Sequence, residues 1–257
     1  MDIEKTLDKE TLKPVTMYET TAKLLNHLLN AVSARFGEEG RNVLIEGVKV
    51  LTEEQGVELA QSLNILKEEL DQSNVFFYET FLDSKQIELT FNNYTKAQER
   101  AGIESITMFS IMAKLFAQVS KAVVDCFGEE GREVIMEAVR TFGEERGRNI
   151  AKRAAMAGEP NEIDHYLSNY DMGRSELFQY ETLFHPKEIE QTFTKCAFAE
   201  QWIKDGMQEY GILYCQMIDP AIAKGFNRNF EVVHDQYILK EGVCHFRFQM
   251  KKEEIKN

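Results

Sequence analysis

The sequence contains no long apolar run. No stretch approaches the roughly 18 apolar residues a membrane span needs, and the opening MDIEKTLDKETLKP is acidic and polar, without a signal-type apolar core. Both absences point to a cytoplasmic protein. Positive charge is scarce: 30 Lys and Arg stand against 43 Asp and Glu, a formal net charge of −13. Such a chain is repelled by phosphate backbones and anionic bilayers, so neither nucleic acid nor membrane is expected as a partner. That leaves a small molecule. Cysteine is limited to Cys126, Cys196, Cys215 and Cys244, with no CxxC pair, which favours reduced thiols over a disulfide framework. Only four prolines interrupt the 257 residues, so long unstructured linkers are excluded.

What is present is a repeat. FGEEGR occurs at 36–41 and again at 127–132, and 13 of the 25 positions in 36–60 and 127–151 are identical. Upstream, Thr16-Met17 aligns with Thr107-Met108. Downstream, Tyr78-Glu79-Thr80 aligns with Tyr180-Glu181-Thr182 at a larger offset. The pattern reads as a tandem duplication. An N-terminal segment (1–15) precedes a truncated first copy (16–103), and a complete second copy covers 107–257. Each copy is expected to begin with two helices, 16–35 and 37–63 in the first, 105–126 and 128–156 in the second. Apolar and small residues recur at helical spacing through Phe36, Gly40, Leu44, Gly47 and Leu51, and through Phe127, Gly131, Ile135, Ala138 and Phe142. The hexapeptide is not a phosphate loop, since no strand precedes it and no Lys-Ser/Thr follows its glycines.

After residue 170 the period changes. ELFQYETLF (176–184) and KEIEQTFTKC (187–196) predict a hairpin, 198–226 a helix broken at Gly206 and near Pro220, and 229–240 with 243–250 a second hairpin. The first copy predicts only one hairpin, over 74–82 and 85–94. The fold class expected is α+β, with helices packed on a small antiparallel sheet and the first copy packed on the second as a built-in dimer partner.

Several residues stand out chemically. Cys215 and Asp219 are four apart, hence on one helical face among Ile212, Ile218 and Ile222. Asp219 reads either as a desolvated base or, being followed by Pro220, as a helix N-cap. Cys244 alternates with Phe246 and Phe248, and so points to the apolar face. Cys196 shares a face with Thr194. The three thiols with Asp219 are either separate buried groups or a cluster between sheet and helices, and a thiolate-bound metal at Cys196, Cys215 and Cys244 stays open. Glu145 falls five full turns after Phe127, with Asn149 one turn further. Both are either helix-end groups or pocket residues. Glu200 is a further pocket candidate. Tyr214 reads as a hydrogen-bond donor or as packing, Asn227 as a donor or a turn residue. His234, His245 and Arg247 carry less signal.

TKCAFAEQW (194–202), EYGILYCQMIDPAIAKGFN (209–227) and LKEGVCHFRF (239–248) resemble, in order and spacing, the signature blocks of the L-2-amino-thiazoline-4-carboxylic acid hydrolase family, and GEERG (143–147) extends the similarity upstream. Arg228 stands where the family often has Pro. The first copy lacks the Cys and Asp positions, with Tyr94 over Cys196. The resemblance implies hydrolytic opening of a small cyclic amidine, with Asp219, Cys215 and Cys244 catalytic and Glu145, Asn149, Cys196, Glu200, Tyr214 and Asn227 lining the pocket. The last block is also similar to the 4-vinyl reductase-type small-molecule-binding domain, which implies the alternative of a non-catalytic small-molecule or cofactor-binding protein.

Overall fold

A computed structural model describes residues 14–251 apart from Arg174; of the N-terminal segment 1–15, residues 1–13 lie outside them. Two long helices dominate. Helix α1 (Met17–Leu63) starts at a capping box in which Thr16 and Glu19 exchange hydrogen bonds. Helix α3 (Met108–Met156) starts at Thr107, whose hydroxyl accepts from the Ser110 amide. Each is really two helices meeting at the hexapeptide. Gly37 has φ 64° and ψ −144°, Gly128 φ 60° and ψ −137°. Only glycine adopts such angles without strain, so the expected helix boundaries fall where the backbone leaves helical geometry. The rings before the two kinks, Phe36 and Phe127, stack at 3.8 Å. A side chain at Gly40 or Gly131 would collide with the turn before the kink, at the Val32 and Val123 carbonyls. These glycines therefore serve the bend itself.

Between the long helices lie three single 3₁₀ turns and helix α2 (Ser84–Ala101). The hairpin expected over 74–94 is absent. Asp83 accepts from the Lys85 and Gln86 amides as an N-cap, Gly102 closes the far end at φ 70°, and Ile87, Thr90, Tyr94 and Ala97 bury one helical face. Strong caps and a 3.6-residue period override the alternation that suggested strands.

The second half continues through a short turn of helix, α4 (Ile163–Tyr166), into strands β1 (Phe178–His185) and β2 (Glu188–Cys196), helices α5 (Ala197–Lys204) and α6 (Gln208–Phe226), strand β3 (Phe230–Gln236), a helical turn α7 (Ile238–Glu241) and strand β4 (Cys244–Met250). The four strands form one antiparallel sheet in the order β1-β2-β4-β3. The break at Gly206 is present at φ 68°. The break near Pro220 is not, because α6 runs through it. Pro220 costs one main-chain hydrogen bond; packing on both sides holds the helix together. Strand β3 also ends earlier than expected, at Gln236, where α7 begins.

Helix α3 packs against both α1 and α6, and α6 in turn against β3. Cys244, Phe246 and Phe248 on β4 and Ile189 on β2 bury the sheet face turned to the helices. The architecture is α+β, helices on a small antiparallel sheet. None of the helices among the described residues is long and apolar enough to cross a membrane.

Candidate functional site

The crossing of α3 and α6 is built from glycine. A Cβ at Gly147 would lie 2.1 Å from the Ile222 carbonyl and 2.6 Å from the Phe226 amide; at Gly143 it would lie 2.6 Å from the Ala221 methyl; at Gly225, 2.3 Å from the Glu144 carbonyl. The main chains touch. The face of α3 that meets α6 therefore runs through Gly143, Arg146, Gly147 and Ile150, all buried.

Arg146, between the two glycines, is 5% exposed. It holds Asp171 in a two-pronged ion pair, Nε to Oδ2 at 3.0 Å and Nη2 to Oδ1 at 2.7 Å. Its guanidinium lies over the rings of Phe142 and Tyr170, at 5.7 and 5.6 Å. Burial opposes its charge, but Tyr170 and Asp171 more than offset that, so it stays a cation. Tyr166 packs edge-on to Tyr170 and against Phe226, Phe230 and Phe248. Its hydroxyl is buried without a hydrogen-bond partner.

Asp219 is a second acid within the influence of this cation. Burial lifts its carboxyl to about 6, and Arg146 restrains the rise. It does not cap a helix, since α6 is continuous at Pro220. Cys196, Cys215, Cys244 and Asp219 all feel one another electrostatically, so they converge between α6 and the sheet. All three thiols are disfavoured as thiolates. Burial pushes Cys196 to about 12 and Cys244 to about 11, and burial with the neighbouring Cys196, Cys244 and Asp219 drives Cys215 well above its ordinary value. Among the described residues the three sulfurs are not within the 4.8 Å mutual reach of one ion; only His185, Glu188 and Glu190, on the β1–β2 hairpin, meet that spacing. The sequence had suggested reactive or ligating thiols. The surroundings make them neutral walls.

Asp219, Cys215, Cys196 and Tyr170 are each half-buried. His234, on β3, reaches the same region. Its ring lies 3.9 Å from that of Tyr237 and 5.0 Å from that of Phe246. Burial lowers its basicity to about 4, against the pull of the Gln236 and Cys215 main chains.

Other sequence candidates lie elsewhere. Glu145 sits on the α1–α3 seam, half exposed, 2.9 Å from His27 Nε2 and 3.5 Å from Lys23 Nζ. Burial raises its proton affinity, but His27 and Lys23 prevail and hold it below the usual carboxylate range. Like Phe127, which stacks on Phe36, Glu145 faces α1. Asn149, one turn on from Glu145, is only half buried, and Glu200 is exposed. Asn227 is a turn residue, donating to the Asn161 carbonyl at 2.7 Å and accepting from the Asn229 amide at 2.9 Å. Tyr214 is buried against Phe116, Phe198 and Trp202, and Asp219 and Arg146 both act on its phenol. Sequence reasoning missed Arg146, Asp171, Tyr166 and Tyr170. For Arg146 the flanking glycines were a usable signal. Asp171 follows no periodicity, so nothing in the sequence marks it.

No curated protein matches the chain. Among solved structures, an oxygen-binding H-NOX domain related to soluble guanylate cyclases, in its oxygen complex, is matched at 12% identity over 90% of this chain and 95% of that one, with a TM-score of 0.29. A structure concerned with haem redox potential and protein-induced porphyrin distortion is matched at 13% identity with the same coverage and a TM-score of 0.25. Superpositions that loose carry no argument about this molecule. The family model for L-2-amino-thiazoline-4-carboxylic acid hydrolase matches residues 108–248, more than half the chain and all of the convergence just described, so the chain belongs to that family.

Proposed function

We propose that the chain is a cytoplasmic hydrolase that opens a small cyclic amidine of the amino-thiazoline carboxylate type, with Asp219 as general base. The observation that carries this reading is the state of Asp219: an acid drawn up to about 6 by burial, within the influence of the fixed cation Arg146. A base so poised is mostly ionised at neutral pH yet strong enough to take a proton from water. Water adds to the ring carbon between nitrogen and sulfur as Asp219 accepts its proton. The C–S bond then breaks, the proton passes to the departing sulfur, and the product is an N-carbamoyl-cysteine with a free thiol. One water is consumed and nothing is oxidised or reduced.

The charges of the site fit such a substrate. Arg146 and Asp171 cancel, which leaves Asp219 as a net negative group and favours a ring carrying an amidinium. The substrate carboxylate has Arg146 to share and the Tyr166 and Tyr214 hydroxyls as neutral donors. Cys215 and Cys244 act as uncharged walls. The first copy, derived on this reading from the same duplication, acts as a permanent partner that braces α3; the packing of α1 along α3 supports that role.

A second reading, a binding protein without turnover, is favoured by the buried and unpartnered Tyr166 hydroxyl, since such a group is open to a ligand whether or not it reacts. Incubation with L-2-amino-thiazoline-4-carboxylate, monitored by thiol release and calorimetry, separates the two. Thiol release lost in Asp219→Asn supports the enzyme. Saturable binding without release supports the second reading. Neither signal, across thiazolines and related amidines, removes both.

A further inference from the structure

The β1–β2 hairpin gathers three metal-binding side chain types into one short stretch, HPKEIE. Pro186 and Lys187 make the turn, so His185 and Glu188 form the last pair of the ladder and stand opposite each other. Side chains alternate along a strand, which puts Glu190 beside Glu188 on one face. That face is the outer one, since Ile189 between them is buried toward the helices. His185, Glu188 and Glu190 each place one ligand atom within 4.8 Å of the other two. Glu190 is held from behind. His245 on β4 donates from Nε2 to its Oε1 at 2.9 Å, and from Nδ1 to Asp235 Oδ1 at 2.6 Å. The other oxygen, Oε2, is left turned to His185 Nε2 at 3.3 Å. Among the described residues the Glu188 carboxylate has no hydrogen bond or ion pair, and Glu190 is paired with histidines alone.

We propose that His185, Glu188 and Glu190 bind one divalent transition metal ion of the zinc class, with water completing its coordination. The ligand types set the class. Calcium and magnesium take oxygen ligands, whereas an imidazole with two carboxylates suits zinc and its neighbours. The spacing agrees. Two ligands at about 2.0–2.1 Å from a tetrahedral ion stand about 3.3–3.4 Å apart, and His185 Nε2 and Glu190 Oε2 are separated by 3.3 Å. That is long for a hydrogen bond to a carboxylate and suited to two ligands of one ion. Glu190 binds through Oε2 while His245 keeps Oε1, so the direction of the ligating oxygen is fixed in advance. The ion's charge offsets two carboxylates that the turn draws together. Through Glu190, His245 and Asp235 the bound ion ties β1 and β2 to β4 and β3. The site lies on the sheet face opposite the helices, and it does not depend on the reading of Asp219.

Zinc chloride titrated into the full chain, stripped with a chelator, kept reduced and competed against a chromophoric zinc indicator, tests the site. The expected result is one ion per chain with a micromolar Kd. X-ray absorption of the loaded wild type should show nitrogen and oxygen neighbours at about 2.0–2.1 Å and no sulfur at about 2.3 Å. His185→Ala and Glu188→Gln each remove the binding while keeping the metal-free melting temperature of the wild type. His245→Ala leaves all three ligands in place but frees Glu190 to turn, and weakens binding about 10–100-fold. A sulfur shell around the ion, or binding that survives both His185→Ala and Glu188→Gln, assigns the metal to the thiols or another group and overturns the proposal. Failure of the wild type to take up zinc below millimolar concentration overturns it as well.

Discussion

Helices α1 and α3 bend at the same hexapeptide and present nearly the same run of residues, yet one buries an ion pair and the other does not. The contrast is sharpest at the positions 91 apart. Gln55 stands where α3 has Arg146, and Gly56 where it has Gly147. Gln55 is 2% exposed and satisfied by a neutral partner, the Tyr94 hydroxyl at 3.2 Å. Arg146 is just as buried and satisfied by an ion pair. A Cβ at Gly56 would meet nothing closer than Lys67 Cε at 3.4 Å; at Gly147 it would strike main chain. The same run of residues thus buries a neutral amide in α1 and, where α3 meets α6, a charged pair.

The largest expected effect belongs to the one group with no counterpart in the first half. Asp219→Asn should lower turnover by about 10²–10⁴-fold, while the wild-type kcat/KM rises with pH through about 6. Its effect on stability should run the other way. The folded carboxyl binds its proton more tightly than the unfolded one, so its burial is costless below the unfolded pKa and costs most above about 6. The Asn variant should therefore melt higher than wild type at pH 7, and the difference should vanish as pH falls below 4.

Next comes the conversion of the charged wall into the neutral one. Arg146→Gln leaves Asp171 buried and unpaired and should cost about 3–5 kcal/mol in denaturant titration. Adding Asp171→Asn should return most of the stability and none of the activity. A recovery of activity would show that the pair matters only for folding.

A smaller contrast separates the glycines. Gly147→Ala must push α6 away from α3 and should cost about 1–3 kcal/mol. Gly56→Ala should be neutral or stabilise by up to about 1 kcal/mol, the difference in helix propensity. Equal effects at the two positions would break the comparison. The smallest change is expected at Glu145→Gln, where loss of a half-exposed pairing with His27 and Lys23 should cost at most about 1 kcal/mol and leave any turnover intact.

The sequence made the helical half legible because periodicity and caps act locally: the kinks at Gly37 and Gly128, the break at Gly206 and the inward face of Cys244 were all visible. It misplaced 74–94 because that segment was aligned with the hairpin at 176–196, whereas the caps at Asp83 and Gly102 make it a helix. Of the site, the shared helical face of Cys215 and Asp219 was readable from one element, while the sequence left open whether the three thiols and Asp219 meet. What was not readable depended on burial and on distant partners. The protonation of the thiols follows from how much protein surrounds them. The pairing of Arg146 follows from a loop aspartate 25 residues away, and that of Glu145 from His27 and Lys23 on α1.

The glycine crossing of α3 and α6 has a mechanical meaning. Where side chains separate two helices, each rotamer change alters their spacing a little, and a site suspended between them breathes with the core. Here peptide groups are in direct contact and no side chain intervenes. The distance from Arg146 to the helix that carries Asp219 is therefore a fixed gauge, set by the thickness of two backbones, and it should tolerate mutation of the surrounding core better than mutation of the glycines themselves.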